Sequence, residues 1–285
     1  CRSEIEHAFL EGRSLLPEIF SGSRLDNCFL CGRIIRSGTE KTMRLLVYNI
    51  AYGTGTAGGV GTIFSAHRYL RTRLTYLDRI IDFIDASEAD VDGLVEIDTG
   101  SFRTGFVDQA SLVARRLKHY SLCDVKYGLH SIGRHIPILR KQANAFFTSL
   151  DTAQENVYYF PVGFKKVILE LHIAGIRFFL VHLALGHKTR QAQLNYLMKI
   201  AAINPEPVVI AGDFNAFDGA EEIEKLIRTL DLYDPNREGL PTYPSGNPKL
   251  RLDFVLCSKT IRSLKFSVPH VEFSDHLPIV FDFEY

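Results

Sequence analysis

The sequence predicts an α/β (α+β) chain in which mixed β-sheets are covered by helices, and three observations carry that prediction. Apolar runs of strand length recur along the chain. Some are separated by amphipathic stretches of helical period, as between Arg44–Ile50 and Asp90–Ile97. Others are joined directly, as Lys166–Ile173 and Ile176–His182 are by the tight turn Ala174-Gly175. Helix-separated and hairpin-joined strands in one chain point to mixed sheets, not to a purely parallel, doubly wound one.

Taken in order, residues 1–42 combine mixed charge with one short apolar segment, Ala8–Phe20, and read as an amino-terminal extension outside the domain. The first Met is Met43, so the domain is assigned to residues 43–285. Arg44–Ile50 is a buried strand. Ser65 is placed to cap a helix reaching Ala86, with Tyr69, Leu70, Leu74, Leu77, Ile80, Ile81 and Ile84 at helical spacing. Asp90–Ile97 is a strand and Thr104–His119 a helix. Tyr120–Tyr127 and Ala143–Leu150 are strands around a basic loop, and Val157–Phe160 is a short strand before the hairpin. Thr189–Ile203 is a helix, Val208–Ala211 a very apolar strand, and Ala220–Leu230 a helix capped by Asp218. Leu252–Cys257, Ile261–Val268 and Leu277–Phe283 complete the strands.

Composition narrows the function classes. Lys plus Arg and Asp plus Glu are 33 each, and this balance argues against retention on long nucleic acid by bulk charge, since each neutralised phosphate needs its own cation. A hydrophobic fraction of 46% over 285 residues supports a sizeable core and excludes a disordered chain. No apolar run approaches the roughly 18 residues of a membrane span. Five cysteines, an odd and sparse set, make no disulfide framework, and no secretory leader is visible; the expectation is a cytoplasmic protein. Cys28-x-x-Cys31 lacks both a second ligand pair for zinc and the βαβ context of a redox motif.

The informative polar residues fall at strand ends, where the apolar pattern predicts burial. Asn49 ends the first strand and Glu96 the second; His182 ends the hairpin. Asp213 and Asn215 follow Val208–Gly212, Asp253 opens Leu252–Leu256, and Asp275-His276 precede the last strand. One such group can be a satisfied core residue. Three Asp, one Glu, two Asn and two His together suggest a convergent site. Oxygen ligands of this kind suit a hard divalent cation, Mg²⁺ or Mn²⁺, and an Asp with a His adds an acid/base pair.

Tyr48-Asn49-Ile50, Leu94-Val95-Glu96, Val181-His182-Leu183 with Arg190-x-x-Gln193, Gly212-Asp213-Phe214-Asn215-Ala216, Leu252-Asp253-Phe254-Val255 and Ser274-Asp275-His276-Leu277-Pro278 resemble the endonuclease/exonuclease/phosphatase superfamily, the deoxyribonuclease-I-like fold. Six motifs occur in the family's order. The resemblance implies a four-layer sandwich, two mixed β-sheets packed face to face with helices outside, and metal-dependent hydrolysis of phosphate esters. It implies Glu96 and Asn49 as metal ligands with Asp275 as a further metal or water contact. Asp213 would position or deprotonate the attacking water, beside a phosphate-orienting Asn215. His276 would contact the scissile phosphate, oriented by Asp253. His182 would stand on the leaving-group side, and Arg190 would be a substrate contact.

The expected reaction is phosphodiester hydrolysis, as by a nuclease, with a phosphomonoesterase or phospholipid-type diesterase as the alternative and a catalytically silent binding module as the rival class. The partner is a phosphate-ester substrate, nucleic acid among the candidates; no protein partner is predicted. Ala51 stands where abasic-site endonucleases resembling this chain carry a carboxylate, and Asn215-Ala216-Phe217 departs from the inositol-polyphosphate phosphatase pattern. Pro241-Thr242-Tyr243-Pro244-Ser245 resembles a bacterial branch of unassigned substrate. The Gly-rich run Gly53–Gly61 has no following Lys-Ser or Lys-Thr, so it reads as a loop at the site rim and not a nucleotide P-loop. Arg115, Arg116, Lys118, Lys126, Arg134, Arg140 and Lys141 form a positive run that either guides a phosphorylated substrate or is a solvated face; His130, His135 and His187 read as loop histidines.

Overall fold

A computed structural model of the protein describes residues 41–55, 72, 74–125, 141–163 and 167–285. The readings of Ala8–Phe20, Cys28, Cys31, the Gly-rich run beyond Gly55, the Ser65 cap, Tyr69, Leu70, Lys126, His130, Arg134, His135 and Arg140 lie outside the described residues.

Within them the order is β1 (Thr42–Asn49), α1 (Leu74–Ser87), β2 (Val91–Asp98), α2 (Gln109–Leu117), β3 (Tyr120–Val125), β4 (Gln142–Thr148), β5 (Gln154–Tyr159), β6 (Val167–Ile173), β7 (Ile176–His182), α3 (His187–Ala201), β8 (Val208–Asp213), α4 (Glu224–Thr229), β9 (Leu232–Tyr233), β10 (Asp253–Ser258), β11 (Arg262–Ser267) and β12 (Ile279–Glu284). Two six-stranded sheets result, ordered β11-β12-β1-β2-β4-β3 and β5-β6-β7-β8-β10-β9. Each contains one parallel pair, β1 with β2 and β7 with β8; the other pairings are antiparallel.

The alternation of side chains along each strand builds the layers. Met43, Leu45 and Val47 of β1 face the second sheet and pack with Leu169, Leu180, Val209 and Val255 in the inter-sheet core. Leu46 and Tyr48 of the same strand face outward and are covered by Leu77, Ile80, Ile81 and Ile84 of α1 and Val113 of α2. On the other sheet, Phe179, Val181, Ile210 and Phe254 are covered by Leu194 and Leu197 of α3 and Leu226 of α4. The central strands, β1, β2, β4, β6, β7, β8 and β10, are therefore covered on both faces, which is why the sequence shows continuous apolar runs there and not strict alternation. The four-layer sandwich expected from the resemblance is what the chain forms.

Four local readings change. The expected helix from Thr104 becomes a single 3-10 turn, Phe102–Thr104, and a shorter α2. Gly105 and Phe106 take left-handed φ of 62° and 66° between them, and Asp108 caps α2 by accepting from the Ser111 N–H. The expected helix Ala220–Leu230 starts as a 3-10 turn, Ala220–Ile223, before α4. Asp218 does not cap it: Gly219 is the N-cap with no side-chain bond, and the Asp218 N–H donates to Glu222 instead. The strand at Val157 begins earlier, at Gln154, and β1 begins at Thr42, with Lys41 and Tyr285 exchanging two backbone hydrogen bonds just before it.

Gly212, immediately before Asp213, marks the tightest approach in the second sheet. Its φ is +134°, and a Cβ there would stand 2.0 Å from the Val181 carbonyl oxygen of β7. That neighbour is backbone and cannot swing aside. Gly212→Ala is expected to cost about 2–4 kcal/mol of unfolding free energy in urea titration. A variant as stable as the wild type would show that β7 and β8 pack less closely than described.

Candidate active site

Sheet register assembles half of the site. His182 is paired with Asp213 across the parallel β7–β8 ladder, and Asp213 with Asp253 across the antiparallel β8–β10 ladder. Three chemically active side chains thus lie in one row across three neighbouring strands, on a common face of the sheet. All three residues are buried.

Asp213 is the hub of that row. Its Oδ2 accepts from Asn49 Nδ2 at 3.0 Å and lies 3.2 Å from His182 Nε2; its Oδ1 accepts from the Asn215 N–H at 2.9 Å. Asn49 is the last residue of β1, so this contact crosses between the sheets. The amide is held in turn, because its Oδ1 accepts from the Ala51 N–H at 3.1 Å. Asn215 takes a positive φ of 49°, and its Nδ2 donates to the Leu183 carbonyl at 2.9 Å.

Glu96 arrives by a route that apolar patterning does not reveal. It does not end its strand: β2 continues to Asp98, and the register slips between Val95 and Ile97, leaving Glu96 as a bulge with φ +60°. A bulge re-aims one side chain out of the alternation. Glu96 is the one residue of β2 that is not buried, and its Oε1 faces His182 Nδ1 at 3.8 Å.

His276 is delivered by a loop stitched to its neighbours. Ser274 Oγ donates to the Asn49 carbonyl at 2.7 Å, the Ser245 N–H to the Asp275 carbonyl at 2.8 Å, and the Leu277 N–H to the Thr242 carbonyl at 2.8 Å. Thr242 Oγ1 also receives the Leu252 and Asp253 N–H groups. These bonds bring His276 Nδ1 to 2.7 Å from Asp253 Oδ2, and leave Nε2 4.0 Å from Asp213 Oδ2. The Tyr243 ring lies against the imidazole, centroids 4.9 Å apart. Thr242, Tyr243, Ser245 and Ser274 belong to the site although the apolar pattern does not mark them; their signal in the sequence is the run Pro241–Ser245 and the Ser of Ser274-Asp275-His276. Asp275 is half-buried, and its Oδ1 accepts from Ser274 Oγ at 3.2 Å.

Burial pulls the His276 imidazole toward neutrality, but the Asp253 and Asp213 carboxylates outweigh it and push its pKa up to about 10. The balance of these charges favours the protonated ring, and Asp253 holds it by Nδ1 while Nε2 faces Asp213.

Arg190 does not join this cluster. Its guanidinium is buried, pairs with both oxygens of Glu222 at 2.7 and 2.8 Å, and donates to the Ala184 and Leu185 carbonyls. With those donors spent, it is an anchor of the loops after β7 and β8 and not a substrate contact. Gln193 completes the motif by accepting from the Ala184 N–H. A surface group of His187, Asp218 and Glu222 has metal-like spacing, yet Glu222 is committed to Arg190. Of the positive run, Arg116 is paired with Asp78 and Asp82.

Two facing mixed sheets with a carboxylate–imidazole–amide cluster at the strand ends define a class of hydrolase scaffold. The chain belongs to the endonuclease/exonuclease/phosphatase family, whose sequence profile matches residues 46–276. An endonuclease/exonuclease/phosphatase family protein from Bacteroides thetaiotaomicron shares the fold with a TM-score of 0.68 at 13% identity, over 87% of this chain and 99% of that one. Mannosyl-6-phosphatase from the same organism gives 0.64 at 13% identity, over 85% and 100%. Truncated TDP2 from Caenorhabditis elegans gives 0.58 at 20%, over 86% and 98%. No curated protein matches the chain in sequence. Among the described residues no helix is long and apolar enough to cross a membrane.

The His276 pair has a signature in stability. Its folded pKa is raised, so its contribution is complete below about pH 6.5, declines as the unfolded imidazole loses its proton, and is gone above about pH 10. Urea unfolding across that window is expected to show a steeper alkaline loss of stability for the wild type than for His276→Asn. Equal slopes would mean that the imidazole titrates near its ordinary value.

Proposed function

We propose that the protein is a divalent-metal-dependent phosphoesterase, acting on phosphodiesters by attack of water on phosphorus. The observation that carries this reading is the Asp253–His276 pair set beside the buried Asp213 hub, an imidazole and a carboxylate 4.0 Å apart at their facing atoms. A phosphoryl transition state needs both: cationic donors for its oxygens and an acceptor that orients the nucleophile.

In this reading His276 donates from Nε2 to a phosphoryl oxygen while Asp253 fixes its tautomer. Asp213, held by Asn49, His182 and Asn215, accepts a proton of the attacking water and aligns it with phosphorus. As the P–O ester bond breaks, the leaving oxygen departs on the side of His182, between Glu96 and Asp213, and takes a proton from solvent, while the proton accepted by Asp213 returns to solvent; Asn215 orients the phosphate. Glu96, Asn49 and Asp275 would hold Mg²⁺ or Mn²⁺. The donor set fits such an ion: Glu96 carries a carboxylate aimed out of a bulge, and Asn49 Oδ1 keeps a lone pair beyond the one given to Ala51. The ion supplies Lewis-acid neutralisation of the phosphate charge. Asp213, Asp253 and His276 also lie within metal-ligand spacing, but an imidazole that binds Asp253 through one nitrogen and stays protonated is a poor ligand. The name mannosyl-6-phosphatase borne by a structural neighbour favours a second reading, a phosphomonoesterase built on the same residues.

Hydrolysis of a chromogenic phosphodiester and of its monoester, with and without chelator, tests the proposal. Chelation is expected to abolish turnover, and Glu96→Gln to reduce it by orders of magnitude. His276→Ala is expected to lose roughly 10²-fold or more in kcat with the fold intact. Asp253→Asn should also slow the reaction, and the double variant should be little worse than His276→Ala, since the two act as a unit. Turnover undiminished by chelator or by His276→Ala would overturn the assignment; a faster monoester would select the second reading.

A further inference from the structure

The turn after β2 buries a cation whose side chain is not used to build that turn. Arg103 lies in the Phe102–Thr104 turn, is 4% exposed, and holds its guanidinium carbon 4.0 Å over the Tyr52 ring. Among the described residues neither Nε nor Nη1 has a hydrogen-bond partner. The turn is secured without the Arg103 side chain. Ser101 Oγ accepts from the Arg103 N–H, the Arg103 carbonyl accepts from the Thr72 N–H, and Thr104 Oγ1 bonds the Ser101 and Val107 carbonyls. Two carboxylates of the same loop are committed elsewhere: Asp98 to Gly100 and Ser101, Asp108 to Ser111.

The location gives this cation meaning. β1 and β2 are parallel, so the loops carrying Tyr52 and Arg103 leave the first sheet at one end, the end where Asn49 and Glu96 stand. A guanidinium taken out of water without an anion is costly, and an aromatic face offsets only part of that cost. What remains is a planar fork with two nitrogens buried and unpaired, the geometry that matches a phosphate oxygen pair.

We propose that Arg103, stacked on Tyr52, binds a second phosphate of the substrate, one that is not hydrolysed. The proposal rests on the phosphoesterase reading and narrows its substrates to those carrying at least two phosphates. That second phosphate comes either from the neighbouring linkage of an oligonucleotide or from the other end of a small bisphosphorylated ester.

Two measurements on the full chain test it. The first is calorimetric titration with inorganic phosphate in the presence of chelator, which needs no turnover. Arg103→Gln is expected to weaken binding roughly 10- to 100-fold, while the surface control Arg116→Gln leaves it unchanged. If Arg103→Gln does not fold, Arg103→Lys, which keeps the charge and loses the fork, is expected to lose several-fold. Unchanged phosphate affinity in the variant that folds overturns the proposal, whatever the enzyme hydrolyses. Loss of phosphate binding in a protein that cleaves no phosphate ester would instead sustain the anion site and sink the phosphoesterase reading.

The second measurement compares KM for a dinucleotide with and without a 5′-phosphate, and for a hexose bisphosphate against its monophosphate. In one pair the wild type should favour the doubly phosphorylated member, and Arg103→Gln should erase that preference through KM with kcat retained. The pair that responds identifies the source of the phosphate. A variant that lowers turnover equally on every substrate would return Arg103 to a purely structural role and overturn the proposal.

Discussion

The bond from Asn49 to Asp213 is the constraint from which the rest of the site is laid out. Asp213 is 2% exposed, and a carboxylate so placed is tolerated only when donors surround it. Its donors come from both halves of the sandwich: Asn49 from the end of β1, His182 and Asn215 from the second sheet. The requirement to solvate one anion internally therefore fixes how the edges of two sheets meet. Register carries the order outward, from Asp213 to His182 on one side and Asp253 on the other, and Asp253 sets the imidazole of His276. A shift of one residue in any of these ladders would send a side chain to the opposite face.

A second layer of bonds holds the loops that leave the same strand ends. Arg190 and Gln193, one turn apart on α3, grip Ala184 and Leu185 after β7. Arg190 then reaches Glu222, which receives the Asp218 N–H from the loop after β8. One buried ion pair thereby couples the two loops bordering His182 and Asp213. Removing either charge would leave the other buried and uncompensated, which is more damaging than replacing the pair together. The Arg-x-x-Gln spacing is explained by this grip, since residues three apart on a helix present one face to the chain they hold.

Much of this was legible because burial on both faces writes long apolar runs, and because a polar residue interrupting such a run needs a reason. Asn49, His182, Asp213, Asp253 and His276 were read that way, and the structure brings them together. What escaped has a physical cause in each case. The bulge at Glu96 depends on pairing with Asn144 and Ala143, nearly fifty residues away, which no local pattern encodes. Strand β9 is two residues long and exists only because β10 offers it an edge. Asp218 has the chemistry of a helix cap, but its N–H is drawn to Glu222, itself held by Arg190. Arg190 looked like a substrate contact because a motif gives residue type and spacing without saying where five donors go. Tyr243 and Thr242 act through a loop whose register, Thr242 and Tyr243 both bonding the Leu250 carbonyl, is set by tertiary contact.

The division between buried machinery and exposed rim follows from the same physics. Asn49, His182, Asp213, Asp253 and His276 are each nine-tenths or more buried, in ladders or in loops stitched to them, and none can move without unpairing a polar group in the interior. Phe102, Phe106, Leu185 and Phe217 sit on loops leaving the same strand ends and are 43–73% exposed. Substituting those side chains touches neither the inter-sheet core nor the Asp213 hub. A scaffold so partitioned can exchange its rim while the strand ends stay fixed, so a fold shared at 13–20% identity is compatible with widely different substrates. In the reading proposed for this chain, the reaction belongs to the buried strand ends and the choice of substrate to the loops that leave them, the turn of Arg103 among them.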